Sequence, residues 1–159
     1  MVGGEDECLS KALSFLSSRP RTASETRSRM LKWGYPPQTA DSVLSRLERS
    51  GLIDDEGFAR VYMEEMLRKG LGARSIQGKL IQKGLDRELV GEVMDGYPAE
   101  MDGERALQAA RERFRAAQSL QTGDARRISD FLLRRGFPGS TAREVAKVMV
   151  HVDSDFGPE

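Results

Sequence analysis

The sequence predicts an all-α protein built from three tandem three-helix repeats, and three observations predict it. Three stretches end alike: Leu31-Lys32-Trp33-Gly34-Tyr35, Ile81-Gln82-Lys83-Gly84-Leu85 and Leu133-Arg134-Arg135-Gly136-Phe137, with the glycines 50 and then 52 residues apart. Residues at fixed offsets from those glycines match in type: Ala23, Ala73 and Ala125 before them, Met30, Leu80 and Leu132 nearer, and Val43, Val93 and Val145 after them. No stretch alternates apolar and polar residues with the period of two that a strand needs. At this repeat length the 159-residue chain holds roughly nine helices. Repeat proteins bind through extended surfaces more often than through pockets.

The expected repeats span residues 1–53, 54–97 and 98–150, with a disordered tail over 151–159 and fraying over 1–5. The first helices are expected near Cys8 to Leu16, Asp55 to Arg68 and Gly103 to Ala117. The last carries Ala106, Leu107, Ala110, Phe114 and Ala117 on one stripe. Middle helices begin after Thr22, Gly72 and Asp124, which occupy equivalent N-cap positions. Thr22 with Glu25 makes a capping box, each side chain satisfying a free backbone N–H. Each middle helix stops at its glycine, in the left-handed C′ position. The next residue folds back on the helix: Tyr35 on Met30, Leu85 on Leu80, Phe137 on Leu132. Pro36, Asp86 and Pro138 then start the third helices. Their apolar spacing shows in Ala40, Val43, Leu44 and Leu47, and in Leu89, Val90, Val93 and Met94. In the third copy Thr141 and Glu144 form the expected capping box. Tyr97 to Glu100 and Gln118 to Gly123 are connectors.

Charged residues make up 31% of the chain, yet the net charge is zero. The distribution is uneven. Arg68 to Lys83 carries +5 (Arg68, Lys69, Arg74, Lys79, Lys83) and no acid. Arg19 to Gly34 carries +4 and Arg126 to Arg135 carries +3, one acid counted in each. In register, the middle helices would form one positive stripe able to track phosphates or an acidic groove. The same cations also fit solvated helix faces with positive charge near C-termini, where the dipole favours it. A further group, Arg105, Arg111, Arg113 and Arg115, lies beside Glu104 and Glu112 and is read as a surface helix.

Enzymatic chemistry has little support. His151 is the single histidine and reads as surface filler. Cys8 is the single cysteine, so no internal disulfide, zinc site or Cys–His nucleophile can form around it, which fits a reducing cytoplasm. Gly70-Leu71-Gly72 lacks the preceding strand and the Gly-Lys-Ser/Thr ending of a phosphate loop. Trp33, just before Gly34, reads as core packing rather than a base-stacking platform. No cofactor and no metal are expected. No apolar run reaches the length of a membrane span. The start, Met1-Val2-Gly3-Gly4-Glu5-Asp6-Glu7, is acidic and Gly-rich, unlike a signal peptide. The expectation is a soluble, cytoplasmic protein.

The most specific segment is Gly51-Leu52-Ile53-Asp54-Asp55-Glu56-Gly57-Phe58-Ala59. Gly51 ends one helix and Leu52 is expected to pack back on Leu47. Asp54 is the N-cap of the next helix, with Asp55 and Glu56 in its first turn, near the positive helix end. Ile53 and Phe58 hold the N′ and N4 positions of a hydrophobic staple. These roles account for the Asp54-Asp55 pair without a metal or acid–base function.

This corner, with Gly70-Leu71-Gly72-Ala73-Arg74-Ser75-Ile76 and Leu80-Ile81-Gln82-Lys83-Gly84-Leu85, resembles the RecX family of bacterial recombination regulators. The resemblance covers about residues 8 to 150 and includes Arg134-Arg135-Gly136-Phe137. It implies an elongated, curved, right-handed-type helical array that binds the RecA recombinase filament on single-stranded DNA; separately, no long heptad seam demands a dimer, and a monomer is expected. It implies inhibition of filament growth, ATPase, strand exchange and co-protease activity, with DNA contact weak or made through the filament. The chain departs from the family at Tyr62, where tryptophan is common, and at Met66, where arginine is common and would offer a surface contact. Candidate filament or DNA contacts are Arg27, Lys32, Arg68, Lys69, Arg74, Lys79, Lys83, Arg126, Arg127, Arg134 and Arg135. Ile53, Phe58 and Tyr62 are assigned to the fold. Two other readings stand beside this one: a sequence-specific helix-turn-helix-like DNA-binding protein, and a generic helical interaction scaffold.

Overall fold

The computed structural model describes residues 3–117 and 119–154, the last three by backbone alone. Among the described residues the chain is all-helical. Its α-helices are α1 (Glu5–Ser18), α2 (Ala23–Lys32), α3 (Pro37–Arg49), α4 (Asp55–Arg68), α5 (Ala73–Gln82), α6 (Arg87–Met94), α7 (Asp102–Arg113), α8 (Ala125–Arg134) and α9 (Gly139–Ser154). Short 3-10 turns precede α7 (Ala99–Met101) and α8 (Thr122–Asp124). Helix α9 runs past the expected start of the tail at residue 151; residues 155–159 lie outside the described residues, as do residues 1–2 of the segment expected to fray.

The chain divides into two compact units. The first runs through Tyr62 and adds Lys79–Val93; the second joins Met63–Gly78 to the chain from Met94 onward. In the first, Cys8 and Ala12 of α1 meet Met30, Tyr35, Ala40, Val43, Leu47 and Ile53 in one apolar cluster. In the second, small residues on α7 (Ala106, Ala109, Ala110) let Ile128 and Leu132 of α8 and Ala142 and Val145 of α9 pack closely. In the first unit Cys8 is fully buried as a small hydrophobe, and burial pushes its thiol pKa up.

The glycine stops form as their sequence demands. Gly34, Gly84 and Gly136 have φ of 94°, 80° and 94°. Tyr35 N–H donates to Met30 O at 3.3 Å and Phe137 N–H to Leu132 O at 3.1 Å, the long bond of the Schellman motif. Tyr35, Leu85 and Phe137 are all buried. The capping box of Thr22 and Glu25 is present in both directions. At the corner after α3, Asp54 Oδ1 accepts from Gly57 N–H at 3.1 Å as the N-cap of α4.

Several local expectations change. Leu52 and Ile53 both donate N–H to Leu47 O, but the Leu52 side chain is 55% exposed and Ile53 is the one buried. Asp124 caps the 3-10 turn through Gln121 N–H and pairs with Arg127, while α8 has no side-chain cap. Those two contacts hold the Asp124 carboxyl below its usual range, the Gln121 N–H contributing most. Thr141 lies inside α9, which starts two residues earlier at Gly139, so the second capping box does not form there. Helix α7 stops at Arg113, and Phe114 is its C-cap. Met66 is buried, so this position is a core site rather than a lost surface contact.

Arg105 is the main correction. Its side chain is only 14% exposed. Its guanidinium donates to Leu67 O, in the last turn of α4, at 3.1 Å and to Leu71 O, in the turn beyond it, at 2.6 Å. The other amino group donates to Tyr97 Oη at 2.9 Å and lies 3.9 Å from Asp102 Oδ1. Tyr97 Oη donates in turn to Asp102. A fork of five donors satisfies several groups at once, which explains arginine here.

Burial, with the Asp102 acceptor second, pushes the Tyr97 phenol up to about 12. An unfolded tyrosine titrates near pH 10. The folded chain therefore keeps a proton that the unfolded chain sheds, so stability is fully present below about pH 10 and falls as the pH rises toward 12. Urea melts at stepped alkaline pH are expected to show that decline, and Tyr97→Phe to flatten it. An equally steep alkaline limb in the variant would remove Tyr97 as its cause.

Candidate basic binding surfaces

A joint between helix ends occurs in each unit, and some of the cations lie at it: Lys83 in the first, Lys69, Arg74, Arg134 and Arg135 in the second. In the first unit the N-terminus of α2 meets the turn that ends α5. Thr22 Oγ1 donates to Lys83 O at 2.8 Å, and Lys83 Nζ lies 3.2 Å from Glu25 Oε1. Asp55 Oδ1 accepts from Ala23 N–H at 2.8 Å, so this carboxylate serves α2 as well as the first turn of α4. A Cβ on Gly84 would sit 2.2 Å from Ser24 Oγ.

In the second unit the N-terminus of α5 meets the turn that ends α8. Gly72 N–H donates to Arg135 O at 2.7 Å and Arg74 N–H to Gly136 O at 3.2 Å. The backbones approach so closely that a Cβ on Gly72 would lie 2.4 Å from Gly136 C, and one on Gly136 would lie 2.4 Å from Ser75 N. Gly72 is thus required by contact rather than by an unusual φ.

The structure sorts the eleven candidates by what already holds them. Arg27 bonds Asp41 at 2.7 Å, which keeps the Asp41 carboxyl below its ordinary range. Lys83 is engaged by Glu25 and lies 5.8 Å from the Tyr62 ring, half-buried. Arg127 bonds Asp124 at 2.8 Å, and Arg126 reaches Asp130 only at 3.9 Å. Arg135 is structural: it donates to Lys69 O and lies over Phe131. The other six are exposed and have no ion pair among the described residues: Lys32 and Lys79 in the first unit, Arg68, Lys69, Arg74 and Arg134 in the second. Unpaired exposed cations are the ones free to meet an incoming anion without first breaking a bond.

Two basic residues counted in the +4 of residues 19–34 but not among the contact candidates join the first unit's set. Arg21 and Arg29 both lie over the Phe15 ring, at 4.2 and 5.1 Å from its centroid. With Ser24, Ser28, Lys32, Gln82 and Lys83 they line an open depression of about 270 Å³. The residues of α2 at 25, 28, 29 and 32 share one helix face, a spacing visible in the sequence. Phe15 comes from another helix, and no local pattern announces that it meets them.

Among the described residues no group of three His, Cys, Asp or Glu side chains is placed to hold a metal ion. No helix among them is long and apolar enough to cross a membrane. The described residues are thus those of an all-helical protein that exposes unpaired cations on its surface. Residues 8–47 match the first three-helix domain of RecX, and residues 54–94 the second. The regulatory protein RecX of Mycobacterium avium is 34% identical over 145 residues, covering 89% of this chain and 83% of the relative. That of Mycobacterium marinum is 32% identical, covering 95% and 89%. The crystal structure of RecX from Lactobacillus salivarius superposes with a TM-score of 0.79 at 20% identity, over 91% of this chain and 96% of that one. The chain belongs to the RecX family.

Proposed function

We propose that this protein is a non-enzymatic regulator that binds the RecA recombinase filament on single-stranded DNA. It inhibits filament growth and, with it, ATPase, strand exchange and co-protease activity. Family membership carries the reading, and the unpaired cations beside the joints support it. Any ATP chemistry belongs to the recombinase; the regulator acts through contact alone. Each three-helix repeat, 1–53, 54–97 and 98–150, contributes one basic middle helix. Arg68, Lys69, Arg74 and Arg134, exposed and unpaired, supply contacts to DNA phosphates or to acidic groove residues. Arg27, Lys83, Arg127 and Arg135 hold the fold first, because each already has a partner within it.

A single-stranded-DNA-dependent ATPase assay with the cognate recombinase tests the reading. Substoichiometric amounts of the protein are expected to lower turnover and shorten filaments. Arg68→Glu with Arg74→Glu and Arg134→Glu is expected to raise the concentration needed about tenfold or more, by reversing charge at a polyanion. Helicity and melting should stay as in the parent, since none of the three side chains has an ion pair among the described residues. Unchanged ATPase and unchanged filament length with the parent protein would sink the proposal. Tight binding to one duplex sequence, with no response to the recombinase, would favour the helix-turn-helix reading instead.

A further inference from the structure

The depression in the first unit shares Lys83, Glu25 and Ser24 with the joint, and it concentrates charge. Its lining holds Arg21, Arg29, Lys32 and Lys83 against one acid, Glu25, which already pairs with Lys83. Arg21, Arg29 and Lys32 have no ion pair among the described residues. Arg21 is placed by an aromatic ring rather than by an acceptor. Its guanidinium makes a 3.5 Å contact to Ser18 Oγ, and its buried Nε has no acceptor. A cation–π contact leaves guanidinium N–H donors unspent. Two guanidinium groups sharing one ring, with an ammonium beside them, make a concave set of donors with three positive charges in excess.

We infer that this depression is a seat for the phosphodiester backbone of single-stranded nucleic acid. The inference rests on the proposed function and deepens it by naming a DNA-contacting site on this chain. A deoxyribose-phosphate backbone presents acceptors and negative charge and no N–H donors. The lining answers that with two guanidinium groups, two ammonium groups and the Ser24 and Ser28 hydroxyls. An acidic peptide would bring a backbone N–H at nearly every residue, and Glu25, the lining's one carboxylate, is already held by Lys83. The volume, about 270 Å³, exceeds what one carboxylate fills and leaves room for a phosphate with its sugar.

The chain carries its own reporter. Trp33 is its single tryptophan and stands edge-on to Phe15, ring centroids 6.0 Å apart. Oligothymidylate, added to the full chain without recombinase, is expected to change Trp33 fluorescence. Arg29→Gln with Lys32→Gln is expected to weaken that binding about tenfold at low salt. The salt dependence should become shallower by about 1.4 in log–log slope, two phosphate contacts at roughly 0.7 each. Arg143→Gln with Lys147→Gln removes the same charge from exposed positions on α9 and should bind as the parent does. Circular dichroism checks that each variant is folded, and Lys32→Gln alone, at an exposed position, serves if the pair is not. Equal affinity in the site variant and the α9 control would overturn the inference. So would a fluorescence change as large with polyglutamate, or one obtained with inorganic phosphate and not with the oligonucleotide. Because no recombinase is present, failure here leaves the inhibition assay standing. Lost inhibition with intact oligothymidylate binding would fail the inhibition reading alone.

Discussion

Arg105→Met is expected to lower stability by about 3–5 kcal/mol, the cost of removing one partner from a buried charged network. The substitution keeps most of the side-chain stem and removes the fork. Leu71 O, just past the end of α4, loses the Arg105 donor, and Leu67 O keeps only Gly70 N–H. Asp102, only 8% exposed, keeps a carboxylate whose cation is gone. Each effect alone costs about 1–3 kcal/mol when the group stays buried. Arg105→Lys restores charge without the fork, so it should recover part of the loss and leave one carbonyl unmet. Urea melts of the three proteins check this. A change below about 1 kcal/mol in Arg105→Met, within the range of ordinary surface substitutions, would show that the network contributes little.

Gly136→Ala is the second large effect, about 3 kcal/mol, and it separates two roles of one residue. At φ 94° any Cβ is strained, by about 1–2 kcal/mol. The same Cβ would also lie 2.4 Å from Ser75 N, and overpacking of that kind costs roughly 1–3 kcal/mol. Gly51→Ala is the internal control: its φ is 78°, but nothing lies within 4 Å of its Cβ position. It should lose only the backbone part. Amide exchange distinguishes the two further. Gly136→Ala should deprotect Gly72 N–H and Arg74 N–H, which donate across the joint to Arg135 O and Gly136 O. Gly51→Ala should leave both protected. Equal losses in the two variants would mean that the joint adds nothing to the helix stop.

The helix stops were legible because their chemistry is local. A glycine four residues past Met30, Leu80 or Leu132, followed by one hydrophobe, specifies a left-handed C′ and its fold-back with little help from elsewhere. The capping box of Thr22 and the N-cap at Asp54 were legible for the same reason. The apolar stripes of α3 and α6 followed from helical spacing. Expectations failed where a neighbour in space competed with a neighbour in sequence. Leu52 and Ile53 are both apolar, and only packing against Leu47 decides which is buried. Thr141 and Glu144 have the right spacing for a box, but Pro138 starts α9 before them.

The candidate site divides along the same line. Clustering of basic residues on the middle helices is a property of the chain and was read from it. Which of those cations are free is a property of their partners: Asp41 for Arg27, Glu25 for Lys83, Lys69 O for Arg135. Those partners lie 14, 58 and 66 residues away, beyond the reach of helical periodicity. Arg105 looked like one more surface cation and is a buried clamp. Arg21 and Arg29 looked unremarkable and share a ring with each other.

The sequence by itself determined that this is an all-helical chain, where its middle helices stop, and that those helices are basic. Each of those rests on backbone torsions, capping and residue spacing within one or two turns. Only the tertiary structure decided that glycines read as helix stops are also points of backbone contact, and which positive charges remain unspent. Both depend on distances between segments far apart in the chain, and a one-dimensional pattern carries no measure of those.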